Sequence, residues 1–397
     1  MLTQRELFLK HNAQTSTTPL LLEFVKAQGL YMYDREGKKY MDLIAGIGVS
    51  NVGHCHQNVV KAVQQQAETY MHLMVYGEFV QSPQVNFAEA LAKVLPPNLN
   101  CTYFVNSGAE AVEGAMKLAK RYTGRTKLIA CKNSYHGSTQ GALSLMGNEE
   151  FKQAYRPLLP AIEFIEFNQL PDLEKIDEQT AAVFIETIQG EAGIRVPDQA
   201  YLKALRQKCD STGTLLVCDE IQCGFGRTGK MFGFEHFEII PDILLLAKGI
   251  GGGMPIGAFI SSKEIMSVFT ENPILGHITT FGGHPVSCAA GLATLNTILS
   301  ENLVADVEAK GEYFKKLLQH PAIREIRGKG LMLAVEFDSY ETNKAIIDGC
   351  ITDGVITDWF LHCGNSMRIA PPLIISEVEI EEACAIILKN INLVTKS

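Results

Sequence analysis

The chain has 397 residues, 46% hydrophobic and 20% charged, with 35 Lys and Arg against 44 Asp and Glu for a net charge of −9. That balance excludes a disordered chain and is long enough for one large core plus a smaller domain. An acidic chain carries no footprint for a phosphate backbone, which makes nucleic acid a poor expectation as partner.

Residues 1–10 (MLTQRELFLK) mix Arg5, Glu6 and Lys10 with apolar positions and read as an amphipathic helix, without the continuous apolar core of an export signal. Segments 31–33 and 39–42 read as strands on either side of a turn at 34–38. From about residue 100, short apolar runs alternate with helical stretches such as 109–122 and 199–211. The runs 102–105, 127–130, 162–167, 181–185, 214–218, 243–246 and 257–260 are rich in β-branched or aromatic residues, as strands covered on both faces are. This alternation predicts an α/β domain built on a mostly parallel seven-stranded sheet. Residues 272–300 lack Asp, Glu, Lys and Arg but hold two His, four Gly and two Pro, so no membrane span is expected there. Beyond about 300 the texture changes to a strand at 330–337, a helix, a strand at 366–370 and a closing helix near 377–392. The expected division is a large domain at 51–299 and a smaller α+β domain formed by 300–397 together with 1–50. The ten cysteines are scattered with no C-x-x-C pair and read as reduced thiols of a cytoplasmic protein.

Two motifs mislead. Gly224–Gly229 reads GFGRTG, a literal G-x-G-x-x-G after a strand, yet five residues intervene and KMFGFEHF follows in place of a helix. A dinucleotide fingerprint needs its glycines between strand end and helix start. The near match to a phosphate-binding P-loop fails at Met231, where Ser or Thr would hold magnesium. His54-Cys55-His56 has no further ligand cluster and reads as a turn, so no metal is expected.

Asp219 and Lys248 are more informative. Asp219 ends one apolar run; Lys248 follows another and precedes Gly249-Ile250-Gly251-Gly252-Gly253. A desolvated lysine tends toward its neutral amine, which suits Schiff-base chemistry, and a strand-end carboxylate can keep the pyridine nitrogen of pyridoxal phosphate protonated. A surface lysine and a capping aspartate remain the plain alternative for this pair. Asn106-Ser107-Gly108-Ala109-Glu110 shifts the balance, because Ser107 and the amides of Gly108 and Ala109 lie at a predicted helix start, where a phosphate is favoured.

Along nearly its whole length the sequence resembles the class III pyridoxal-phosphate aminotransferases, acetylornithine and ornithine aminotransferases among them. The resemblance runs through NSGAEAVE at 106–113, Tyr135-His136-Gly137, Gln189-Gly190-Glu191, DEIQCGFGRTG at 219–229, AKGIGGGMPIG at 247–257 and RIAPP at 368–372. It implies fold type I, with a large cofactor-binding domain and a small domain made from both chain ends, and a homodimer with shared active sites. It implies that Lys248 binds the cofactor covalently and later moves the proton, that Asp219 pairs with the pyridine nitrogen, that Gln222 bonds the ring hydroxyl and that Tyr135 stacks on the ring. Thr280 would reach the phosphate in the neighbouring subunit. Arg368 would take the α-carboxylate of 2-oxoglutarate, and Glu191 would mask it when a terminal amine enters.

The sequence departs from this pattern at Ser138, where the related enzymes carry an Arg for the distal carboxylate; one neutral hydroxyl replaces a charged, two-pronged donor. Arg156 is a substitute by charge alone. Ile47 stands where the ornithine enzyme has a substrate-binding Tyr, and Thr187 where the family has Pro, a change expected to matter little. The expected activity is transfer of a terminal amino group from ornithine or an N-acylornithine to 2-oxoglutarate or pyruvate by a ping-pong mechanism. The alternatives are a 4-aminobutyrate or lysine donor, a glutamate-1-semialdehyde-type aminomutase, a dialkyl amino acid decarboxylase, and a non-catalytic scaffold.

Overall fold

The computed structural model describes residues 2–395. Its central sheet has seven strands in the order Cys101–Val105, Gly257–Ser261, Ile243–Ala247, Leu215–Asp219, Thr180–Glu186, Lys127–Cys131, Ile162–Ile165. Gly257–Ser261 is antiparallel to both of its neighbours; the other pairings are parallel. Every position of Thr180–Glu186, Leu215–Asp219 and Ile243–Ala247 is buried, which is why these strands read as unbroken apolar runs.

Helices cover both faces of the sheet. Val112, Ala115 and Ala119 of Gly108–Thr123 pack on Val217, Leu245 and Phe259. The other face, with Val183, Ile185 and Leu216, receives Phe87, Leu202 and Leu295 from three helices. Alternate strand residues thus feed opposite cores. Gly114 lets the first helix sit close, since a Cβ there would lie 2.3 Å from the Phe259 ring.

A separate core joins the chain ends. Leu30, Tyr40, Met41 and Leu43 pack with Phe314, Leu333, Val335, Ile346 and Ile387. Two four-stranded sheets frame it, and in one of them Val355–Ile356 pairs in parallel with Lys39–Asp42. Two hairpin strands, Phe24–Gln28 and Glu325–Lys329, have no counterpart in the sequence reading: four of the five positions of the first are exposed, and the second is mostly polar.

The N-terminal helix forms as Gln4–His11, with a capping box between Thr3 and Glu6, but none of its residues is buried. Of its apolar residues Leu7 is half-buried while Phe8 and Leu9 are exposed; Met1 lies outside the described residues. Segment 224–229 is a turn and does not open a helix. Its Arg227 is fully buried, donating to Asn51 Oδ1 at 2.6 Å and to the carbonyls of Leu331 and Pro371. The segment thus ties the chain ends to the sheet. His54 bonds Asp42 at 2.8 Å and His56 caps the helix Gln57–Thr69. Among the described residues no group of three metal-ligating side chains occurs, no helix is long and apolar enough to cross a membrane, and all ten cysteines are free.

Candidate active site

The parallel strands end at one edge of the sheet, which is where α/β folds place ligands. A cavity of about 520 Å³ opens there, lined by Ser107, Gly108, Ala109, Tyr135, Asp219 and Lys248 among others. Residues far apart in sequence meet because strand ends meet.

Lys248 directly follows the strand Ile243–Ala247 and has a left-handed backbone, φ +51°. Such a conformation is costly for a residue other than glycine and is held by its surroundings. Burial lowers the pKa of its amine; Arg368 adds to that effect, and the Glu191 and Asp219 carboxylates oppose it. An amine that sheds its proton readily is a nucleophile and a proton carrier.

Asp219 ends the adjacent strand. Its Oδ1 accepts from the Ile221 amide at 3.0 Å and its Oδ2 lies 2.7 Å from His136 Nδ1. Both side chains are buried, and His136 Nε2 has no partner. Glu186, at the end of the next strand, receives long hydrogen bonds from the Tyr135 and Gly190 amides. Burial, then repulsion from Asp219, pushes its carboxyl well above the usual range.

Also lining the cavity, Ser107 caps the helix Gly108–Thr123, its Oγ accepting from the Glu110 amide at 3.2 Å. The first amides of a helix lack intrahelical acceptors, so those of Gly108 and Ala109 are open to an anion. A Cβ at Gly108 would lie 2.8 Å from Ile221 Cδ1, so glycine keeps this approach narrow. An anion cradle, an acceptor on a buried carboxylate and a desolvated amine around one cavity fit pyridoxal phosphate.

Arg368 and Glu191 form a buried two-pronged pair. Nη1 and Nη2 donate to Glu191 Oε1 at 3.1 Å, and Nη2 donates to Oε2 at 3.0 Å. Asp358 Oδ1 accepts from Arg368 Nε at 2.8 Å, and the Leu361 amide donates to Glu191 Oε2 at 3.1 Å. Burial raises the Glu191 carboxyl, but the charge and hydrogen bonds of Arg368 outweigh it and hold the pKa down at about 2. Gln222 joins the pair, its Nε2 donating to Glu191 Oε1 at 3.0 Å.

Ser138 lines the same cavity, its Oγ 3.1 Å from Tyr135 Oη. Arg156 is exposed and paired with Glu149, away from the cavity lining. Thr280 does not line the cavity of its own chain. It lies on an exposed segment where His72 contacts its carbonyl at 2.9 Å.

Sequence reasoning assigned no role to His136, Glu186 or Asp358. His136 lay within a quoted motif, but only the fold brings it against Asp219. Thr187 is less idle than expected: its Oγ1 donates at 2.5 Å to buried Glu220, which also accepts from the Gly233 and Phe234 amides at 2.6 and 2.8 Å.

The aminotransferase class-III family model matches residues 12–391. The chain is 42% identical over 387 residues to the acetylornithine aminotransferase of Methanopyrus kandleri, covering 96% of this chain and 97% of that one. It is 41% identical to the putrescine aminotransferase of Pectobacterium atrosepticum, covering 90% and 79%. Among solved structures, the ornithine aminotransferase from Toxoplasma gondii, described with PLP in partial occupancy at its active site, superposes with a TM-score of 0.92 at 31% identity, covering 99% and 95%.

Proposed function

The chain belongs to the class III aminotransferases, and from that premise we propose that it moves a terminal amino group from an ornithine-like donor, ornithine or an N-acylornithine, to 2-oxoglutarate or pyruvate. It is a transaminase, and its cofactor is pyridoxal 5'-phosphate. Bound, that cofactor supplies a carbonyl to take the amino group and an electron sink for the adjacent carbon.

In this reading Lys248 Nζ would hold the cofactor covalently and, when free, would serve as the base and acid that takes up and returns a proton. Asp219, oriented by His136, keeps a proton on the pyridine nitrogen. Ser107 and the Gly108 and Ala109 amides hold the phosphate, Tyr135 covers the ring and Gln222 bonds its hydroxyl. The large cofactor-binding domain is 51–299, and the small domain comprises 1–50 and 300–397.

The observation that carries the donor assignment is the Glu191–Arg368 pair. While Glu191 covers the guanidinium, an α-carboxylate has no partner and a terminal amine is the better ligand. When Glu191 swings aside, Arg368 takes the 2-oxo acid's carboxylate in a directional, charge-assisted contact. One site thus serves both halves of a ping-pong cycle.

A second reading is a donor with no distal carboxylate, such as a diamine. Ser138 favours it: among the described residues, Lys248 is the only Lys or Arg lining the cavity.

A cytoplasmic homodimer completes the proposal, with Thr280 reaching the partner's phosphate site. The homodimer's support is the apolar exposure of the segments 71–80 and 274–281, which meet where His72 and Tyr76 touch Thr280: Met71, Val80, Ile274 and Phe281 are 64, 93, 73 and 55% exposed, as surfaces that dock are. A half-reaction screen tests the function. Ornithine, N-acetylornithine, N-succinylornithine, lysine, 4-aminobutyrate and putrescine are mixed singly with the holoenzyme while the cofactor absorbance is scanned. Discharge by an ornithine-like donor, reversed by a 2-oxo acid, is expected; no discharge by any terminal amine contradicts the proposal.

A further inference from the structure

Arg327 is buried on the strand Glu325–Lys329, and none of the roles above uses it. Its guanidinium holds two segments at once. Nε donates to the Gly193 carbonyl at 2.5 Å, and Nη2 donates to Ser366 Oγ at 3.0 Å. Gly193 lies two residues after Glu191. Ser366 lies two residues before Arg368 on the strand Cys363–Ile369, so their side chains share a face. Nη1 is balanced by Glu325 and Glu336.

The Glu191 segment is a closed loop seated on this guanidinium. Gln189 and Arg195 exchange two backbone hydrogen bonds at 3.0 Å, and the Gly193 amide bonds the Gly190 carbonyl at 3.0 Å. Gly193 has φ +83°, and a Cβ there would lie 2.7 Å from Cys363 Sγ and 2.8 Å from Arg327 Nη2. The apex of the loop has no slack.

We infer that Arg327 is a positioning residue for the mask: by joining the Gly193 carbonyl to Ser366, it fixes Glu191 against Arg368 and so favours terminal amines over ligands with an α-carboxylate. This rests on the role proposed above for that pair. The direction follows from what else holds each partner. Without Arg327, Arg368 keeps its bond to Asp358, while the apex of the Glu191 loop loses the guanidinium that joins the Gly193 carbonyl to Ser366; the Leu361 and His362 amides still hold Glu191 itself. The mask loosens, and Arg368 becomes available to carboxylates.

The test compares Arg327→Gln, Ser366→Ala and Glu191→Ala as holoenzymes with the unaltered enzyme. One readout is the calorimetric Kd of glutarate, a dicarboxylate with no group to react. The other is the ratio of the half-reaction rates with N-acetylornithine and L-glutamate. Arg327→Gln is expected to bind glutarate about fivefold tighter or more and to lower the ratio about tenfold, as loss of a charge-assisted contact does. Ser366→Ala shifts both readouts the same way by less, and it decides the matter if Arg327→Gln does not fold. A purely structural role lowers both rates in proportion and leaves glutarate binding unchanged, which overturns the inference. Glu191→Ala separates the two ideas. If it tightens glutarate binding and the other variants do not, only the role of Arg327 fails; if it does not, the mask itself fails and the inference falls with it.

Discussion

His136 Nδ1 lies 2.7 Å from Asp219 Oδ2, in a pocket where both side chains are buried. The other carboxylate oxygen accepts from the Ile221 amide. Asp219 is therefore held on both oxygens, which fixes its carboxylate at the cavity.

Replacing Asp219 by Asn keeps the shape and removes the charge. A charge contact that matters in the transition state is typically worth about 3–4 kcal/mol, so kcat should fall by about 100–1000-fold while cofactor content falls far less. Steady-state rates alongside absorbance-based cofactor content check this. A fall below about tenfold would show that another group keeps the ring nitrogen protonated.

Lys248→Ala should abolish turnover and retain cofactor without a covalent link, because the proposed phosphate contacts are made by other residues, Ser107, Gly108 and Ala109 at a helix start. Borohydride reduction of the unaltered protein followed by peptide mapping should locate the cofactor on Lys248. An adduct on another lysine removes the assignment.

Ser138 offers a neutral hydroxyl where a guanidinium would grip a distal carboxylate. Pyruvate has no such carboxylate, and the contact proposed for Arg368 is common to both acceptors. The lost contact is worth about 1–3 kcal/mol, so 2-oxoglutarate should lose about 5–150-fold of its advantage, and Ser138→Arg should restore it. Competing-acceptor kinetics measure the ratio. A preference for 2-oxoglutarate above about 1000-fold that Ser138→Arg leaves unimproved places the grip elsewhere.

Burial pushes the Glu220 carboxyl up to about 7, against hydrogen bonds from Thr187, Gly233 and Phe234. The unfolded chain loses the same proton near the ordinary value of about 4.3. Between those values the folded state binds more protons, so this group's contribution to stability is greatest at low pH and declines as pH rises toward about 7. Glu220→Gln removes that slope. Urea denaturation at about pH 5 and pH 8 should show the stability difference between the two proteins changing by about 1–3 kcal/mol. A difference independent of pH contradicts the shift.

The central sheet was legible because its strands are buried on both faces. Runs such as 181–185 and 243–246 carry no polar residue to blur them, and the observed strands Thr180–Glu186 and Ile243–Ala247 extend them by only a residue or two. The order of those strands was not legible, since it depends on crossovers that leave no local mark. Asp219 and Lys248 could be picked out because each stands beside an apolar run. His136 and Arg327 could not: their partners lie 83 and 134 residues away in Asp219 and Gly193. Phe24–Gln28 escaped because it is a five-residue edge strand with four exposed positions, so no buried apolar face marks it.

The central claim is that the terminal nitrogen is the one transferred, because Glu191 covers Arg368 when the donor binds. Ornithine labelled with ¹⁵N at either its terminal or its α position is incubated with holoenzyme and 2-oxo acid, and nitrogen NMR follows the label into the amino acid formed. The account predicts transfer of the terminal label with the α label left in the donor. Transfer of the α label would contradict it.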